Sequence, residues 1–133
     1  MHTPLAPIRR VLILDAFTCV AAGLLMLLGG PALSESLGLS PLFLQGAGLS
    51  LLPFAAYLAY VARRPVLPRA HLWVIVACNA AWVLDSVLVL ATGWVQPTAL
   101  GYTFVIVQAL AVLVLAELEW VGLRRTSASG LAV

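Results

Sequence analysis

Charged residues are scarce in this sequence, and lysine is absent. Only 9% of the residues are charged, whereas 63% are hydrophobic, and the mean hydropathy is +1.10. A soluble domain carries about 25% charged residues, so this composition excludes an ordinary soluble globular protein and indicates an integral membrane protein. All seven basic residues are arginines, which together with the abundance of Ala, Leu, Val and Gly favours a GC-rich bacterial origin.

Residue patterns for catalysis and cofactor binding are also missing. Cys19 and Cys78 form no CxxC pair, and free cysteines most often act as small apolar side chains, although a redox pair stays open. His71 is the only histidine in an apolar segment, and haem ligation needs a second axial ligand, for which Met26 lies at the wrong end. No Ser–His–Asp set or phosphate-binding glycine loop appears. The sequence therefore predicts no cofactor, no metal site and, in preference to an enzyme, a non-catalytic protein.

Four apolar segments are each long enough to cross a bilayer as a helix, which takes roughly 20 residues. They cover about 8–29, 41–62, 70–93 and 98–123, and glycine, proline and arginine clusters separate them. A short turn along the membrane interface is expected around Ala32–Leu37. The sequence thus predicts an all-α bundle of four transmembrane helices, a single membrane domain over residues 1–133, with residues 126–133 as a short mobile tail.

The arginines indicate how the bundle is oriented. They lie before the first segment, between the second and third, and after the fourth: Arg9, Arg10, Arg63, Arg64, Arg69, Arg124 and Arg125. By the positive-inside rule, both termini and the middle connection are expected in the cytoplasm, with the protein in the inner (plasma) membrane. Since the arginines serve this role, the net charge of +2 is no sign of nucleic-acid binding. The expected partner is the lipid bilayer, and a homo-oligomer or another membrane protein stays open.

The N-terminal segment has a second interpretation, a secretory signal peptide cleaved near Ala32-Leu33-Ser34. The apolar run is longer than a typical signal core, and Asp15 interrupts it. We therefore expect a retained transmembrane helix.

The two halves of the chain resemble each other. Residues 37–46 align without gaps on residues 100–109 with the pattern L-G-x-[S/T]-x, three apolar residues, Q and a small residue. Asp15-Ala16 aligns on Asn79-Ala80, and both halves end in an arginine pair. This predicts two parallel helical-hairpin repeats, at about 8–64 and 70–125, related by a pseudo-twofold axis along the membrane normal.

Polar residues of the segments fall into two layers when height is reckoned at about 1.5 Å per residue from the nearest arginine. An outer layer of Gln45, Asp85 and Gln108, about 24–27 Å up, forms the candidate polar site together with Trp82 and Ser86. An inner layer lies near the arginines: Asp15, Asn79, His71, Tyr60 and Glu119. Helical periodicity places these residues, and both cysteines, on the inward faces, whereas Glu117 points away from Glu119.

The outer layer carries the functional alternatives. An Asp inside a transmembrane segment is costly and is by default a candidate functional residue, so Asp85 with Gln45 and Gln108 predicts a proton or solute relay in a small transporter or channel. The simpler interpretation, which we favour, is a structural or accessory protein whose inward polar residues hold its helices together. Near the inner surface, Asp15 and Glu119 are expected to pair with neighbouring arginines. A membrane redox or lipid-modifying enzyme is the third alternative.

The layout resembles the small four-helix bacterial inner-membrane proteins grouped as DoxX-like. The resemblance covers most of the chain and rests on Asp15-Ala16, Asn79-Ala80, Trp82 and the closing Gly-Leu-Arg-Arg of 122–125. It implies the same four-helix fold and inner-membrane location. These proteins share no firm activity, so the resemblance implies none.

Overall fold

Helices make up almost the whole of the described chain. The computed structural model describes residues 5–129, and the side chains of residues 7–125. Five helices follow one another: α1 (Leu5–Leu28), α2 (Gly30–Leu37), α3 (Pro41–Arg63), α4 (Arg69–Thr92) and α5 (Ala99–Ser129). No strand occurs within residues 5–129, so the predicted all-α class is confirmed.

Four of the helices are long and apolar enough to cross a membrane. The qualifying stretches are Pro7–Leu28, Pro41–Arg63, Arg69–Thr92 and Ala99–Arg125, which makes the chain a multi-pass membrane protein. α1 starts three residues before the predicted segment, and α5 continues to Ser129, into the predicted tail. Residues 130–133 of that tail lie outside the described residues. The expected interfacial turn near Ala32–Leu37 is the short helix α2.

The helices pack as two hairpins. α1 packs on α3 and α4 packs on α5, and the two hairpins meet mainly where α1 packs on α5. α1 and α3 approach each other closely at Gly23 and Gly48, where a Cβ on Gly48 would lie 2.8 Å from the Gly23 carbonyl oxygen. Small residues let membrane helices approach in this way. The pairing is compatible with a duplicated hairpin, and the duplication itself stays a prediction.

One end of the bundle, the arginine end, collects the described arginines. Arg9 donates to the carbonyl oxygens of Ala62 (2.5 Å) and Pro65 (2.8 Å), which ties α1 to the connection after α3. The guanidinium of Arg124 lies 4.9 Å from the ring centre of Trp120. These contacts anchor the basic side chains with neutral groups instead of carboxylates.

At the opposite end, α2 docks on the start of α5. Gly38 ends α2 with φ of 68°, a left-handed conformation that glycine adopts easily. The backbone N–H of Thr98 then donates to the Leu37 carbonyl (3.0 Å), and its hydroxyl donates to the Ser36 carbonyl (2.7 Å). Backbone carbonyls at the C-terminal end of α2, which have no partner within their own helix, therefore accept hydrogen bonds from Thr98 at the start of α5.

The buried face of α4 differs from the predicted one. Leu72, Ile75 and Asn79 are buried, whereas Cys78 and Asp85 are exposed. At about 100° per residue, the buried face is centred about 70° from the predicted inward line through His71. The prediction followed the most polar stripe, while the observed orientation follows the hydrogen bonds of Asn79 described below.

The contact between α2 and α5 makes a specific prediction. A Cβ on Gly101 would clash with the Leu37 carbonyl oxygen, so we expect Gly101→Ala to lower the free energy of unfolding by about 1–3 kcal/mol. Gly46→Ala is the matched control, since its Cβ would meet nothing within 4 Å and alanine favours a helix by up to about 1 kcal/mol. Denaturant titration in detergent, followed by circular dichroism, measures both; equal stability of the two variants would contradict the close contact.

Candidate functional site

A buried polar cluster joins three helices near the arginine end. The Nδ2 of Asn79 on α4 donates to Asp15 Oδ2 on α1 (2.7 Å) and to Glu119 Oε1 on α5 (2.6 Å). The three side chains are 3%, 1% and 1% exposed, respectively. We call these three residues the Asn79 cluster. One amide therefore connects the first hairpin to both helices of the second.

The two carboxyl groups of the cluster share one donor. Asp15 Oδ2 and Glu119 Oε1 accept hydrogen bonds from the same Asn79 nitrogen, whereas Glu119 Oε2 is buried without a donor from the described residues. Because a carboxylate oxygen accepts hydrogen bonds, Asn79 satisfies only one of the two oxygens of Glu119.

No described arginine pairs with these carboxyls, in contrast to the expected ion pairs. Arg9 is engaged by backbone carbonyls, and Arg124 lies over Trp120. The third neighbour of Asp15 is instead the buried thiol of Cys19, with Sγ 3.6 Å from Oδ1. A neutral amide and a thiol thus surround the carboxyl groups.

The remaining residues of the predicted inner layer have other partners. His71 Nδ1 lies 2.6 Å from the hydroxyl of Tyr57, which joins α3 to α4 at the arginine end. Tyr60 is exposed and accepts a hydrogen bond from Arg64 at 2.9 Å. The sequence analysis missed Tyr57, because no charged or polar neighbour in the sequence distinguishes it from the aromatic residues of the interface.

Away from the arginine end, α3 and α4 separate and leave an open cavity. Its volume is about 270 Å³; we call it the α3–α4 cavity. It is mostly apolar and is lined by Met26, Leu39, Phe43, Leu44, Gly46, Ala47, Ser50, Trp82, Asp85, Ser86, Val89, Phe104, Val105 and Gln108.

Four of the five residues predicted for the outer polar site line this cavity. The indole Nε1 of Trp82 donates to Gln108 Oε1 (2.6 Å), and Gln108 Nε2 donates to the Ser86 hydroxyl (3.1 Å). Asp85 lies beside them and is exposed. Gln45 does not join them: it is exposed and lines a small separate cavity with Met26 and Leu27.

The structure also places the two cysteines and the possible metal ligands of the described residues. Both cysteines are free, and Cys78 is exposed while Cys19 is buried. Among the residues that the structure describes, no three His, Cys, Asp or Glu side chains are placed to hold a metal ion.

Comparison with known proteins adds nothing to this geometry. No family model, curated protein or solved structure matches the chain. The resemblance to DoxX-like proteins therefore stays a prediction, and the functional argument depends on the chain's own residues.

The Asn79 cluster predicts the effect of removing its amide. Asn79→Leu keeps the approximate size but removes both donors, so we expect the free energy of unfolding to fall by about 1–3 kcal/mol. Cys78→Leu is the matched control, because it introduces the same side chain at the exposed neighbouring position and should change stability by at most about 0.5 kcal/mol. Denaturant titrations in the same detergent compare the two variants. An Asn79→Leu protein as stable as the control would contradict the claim that the Asn79 amide stabilises the fold.

Proposed function

We propose that this protein is a structural or accessory component of the bacterial inner membrane, acting as a homo-oligomer or beside another membrane protein. The observation that carries the proposal is the double hydrogen bond from Asn79 to Asp15 and Glu119. In this role the inward polar residues hold the helices to one another, and the protein needs no catalytic step.

The Asn79 cluster has the properties of a connection between helices. It is buried, it takes one residue from each of three helices, and it lies where α1 meets the second hairpin. Polar groups of membrane helices bond across helix interfaces with about 0.6–2 kcal/mol each. Such bonds fix rotation and register as well as stability, which apolar contacts alone leave loosely specified.

The proposal includes a topology in which both termini and the connection between α3 and α4 are cytoplasmic. The seven arginines support it, since all lie near the start of α1, around the α3–α4 connection or near the end of α5. The connections on either side of α2, and the one between α4 and α5, carry none.

Reporter fusions in a bacterial host test this topology. We expect fluorescent protein fused after α5 to fluoresce and alkaline phosphatase fused there to be inactive, because phosphatase folds only after export. Phosphatase inserted between Gly93 and Pro97 should be active. The reverse pattern would contradict the topology.

The partner surface is expected on α4. Its transmembrane stretch is the least covered of the four, with 11% buried compared with 28–33% in the others. Native mass spectrometry of the solubilised protein separates a homo-oligomer, seen at a multiple of 14.1 kDa, from a single chain that needs a different partner.

A second candidate function is a proton- or solute-coupled transporter using Asp85 with Gln108 and Gln45. Two observations favour it: Asp85 borders an open cavity, and Glu119 Oε2 is buried without a hydrogen-bond partner among the described residues. The position of Gln45 outside the cavity reduces the relay to Asp85 and Gln108.

Conservative carboxyl variants distinguish the two functions. Glu119→Gln keeps the size of the side chain and an acceptor for Asn79, so a structural cluster should keep its free energy of unfolding to within about 1 kcal/mol. Glu119→Leu, which offers no acceptor, should be less stable. Proton flux is measured in proteoliposomes with a pH-sensitive dye. We expect the flux through wild type, Glu119→Gln and Asp85→Asn to be the same as in empty liposomes. Proton flux in the wild type that is lost in either variant would instead establish the transporter.

A further inference from the structure

Asp85 is a carboxylate without a partner in the part of the chain that the structure describes. No hydrogen bond or ion pair to it is present there, although it lies within the apolar stretch Arg69–Thr92. The nearest arginine along its helix, Arg69, is sixteen residues before it, which corresponds to about 24 Å. A carboxylate at membrane depth is costly without a counter-charge.

The cavity next to Asp85 suits an apolar and aromatic body. Phe43, Trp82 and Phe104 come from three different helices and line it together. Aromatic faces attract cations, most strongly when water is excluded. The volume of about 270 Å³ corresponds to roughly nine water-sized groups at about 30 Å³ each, so the space fits a small molecule or one end of a larger one.

The other polar side chains that line the cavity already have partners. Trp82 donates to Gln108, Gln108 donates to Ser86, and Ser86 donates to the Trp82 carbonyl at 2.8 Å. The hydroxyl of Ser50 donates to the carbonyl of Gly46 at 2.9 Å. Among the lining residues, Asp85 is therefore the one polar side chain without a hydrogen-bond partner in the described part of the chain. No basic side chain lines the cavity. This selects against anions, and a neutral solute would leave the charge of Asp85 unpaired.

We propose that the α3–α4 cavity binds a small organic cation with an apolar body. Its ammonium group pairs with the Asp85 carboxylate, and its body lies among Phe43, Trp82 and Phe104. The site shares no residue with the Asn79 cluster. It does not rest on the structural role proposed above, because a ligand site serves an accessory protein and a transporter equally.

Two amphiphiles of equal chain length test the proposal. Octylamine is a cation at neutral pH and octanol is neutral, while both are about the size of the cavity. Each is titrated into ¹⁵N-labelled protein in nanodiscs, and the indole N–H signal of Trp82, assigned with Trp82→Phe, reports binding. We expect a saturable shift with octylamine, at an affinity about tenfold or more above that of octanol.

Two carboxyl variants assign the selectivity. Asp85→Asn should reduce the affinity for octylamine to that for octanol, while leaving octanol binding unchanged. Glu117→Gln is the matched control, since it removes an exposed carboxyl of α5 outside the cavity, and it should retain the preference for octylamine. The other tryptophan indole signals, unchanged in each variant, verify the fold.

Several outcomes would overturn the proposal. Equal affinities for octylamine and octanol in the wild type would show that the cavity takes apolar chains without regard to charge. A preference that survives Asp85→Asn, or that disappears in Glu117→Gln, would show that the general charge of the protein and not Asp85 selects the cation. None of these results changes the stability of the Asn79 variants, so failure of this site and failure of the proposed structural role are distinguishable.

Discussion

The amide of Asn79 is the interaction on which the arrangement of the helices depends. It donates to two buried carboxyl groups, one on α1 and one on α5. Apolar side chains face lipid and core equally well in a membrane, so hydrophobicity does not fix the rotation of a helix there. A polar group with two required partners does fix it, and on α4 this group is Asn79.

The orientation of Asn79 also shapes the distant cavity. Trp82 and Ser86 follow it by three and seven residues, so at about 100° per residue they lie on nearly the same side of α4. Asp85, six residues after Asn79, is turned about 120° to one side. This geometry places Trp82 and Ser86 in contact with Gln108 and leaves Asp85 beside them, exposed and unpaired. The cluster near the arginines and the cavity near the other end are thus two consequences of one helix rotation.

The cavity exists because the two hairpins do not meet symmetrically. α1 packs on α5, while α3 and α4 are joined at the arginine end by Tyr57 and His71. An exact twofold arrangement would pack α3 on α4 as closely as α1 on α5. Asp15 and Asn79, aligned in the predicted repeat, contact each other directly, as residues near a twofold axis can. The departure from symmetry on the α3 side leaves the space in which Trp82, Gln108 and Asp85 lie.

The sequence predicted the class of fold better than it predicted helix rotation. Helix lengths follow from apolar runs and from breakers such as Gly38 and Pro41. The predicted inner layer included Asp15, Asn79 and Glu119, which hydrogen bonds join in the structure. The predicted rotation of α4 was wrong, since Cys78 and Asp85 were expected to face inward and are exposed. A stripe of polar residues does not identify the buried face of a helix when the hydrogen-bond partners of those residues are unknown. On α3, the predicted inward Gln45 is exposed because the core side is set by Leu44, Gly48 and Leu51.

A double-mutant cycle between Asn79 and Asp15 tests the central claim most directly, since it measures the energy that connects the two hairpins. Asn79→Leu, Asp15→Leu and the double variant are unfolded by denaturant in the same detergent. A direct bond predicts that the stability losses of the two single variants add up to more than the loss in the double variant. The difference, the coupling free energy, should be about 1 kcal/mol or more. Losses that add to within about 0.3 kcal/mol would contradict the claim that Asn79 holds the bundle together.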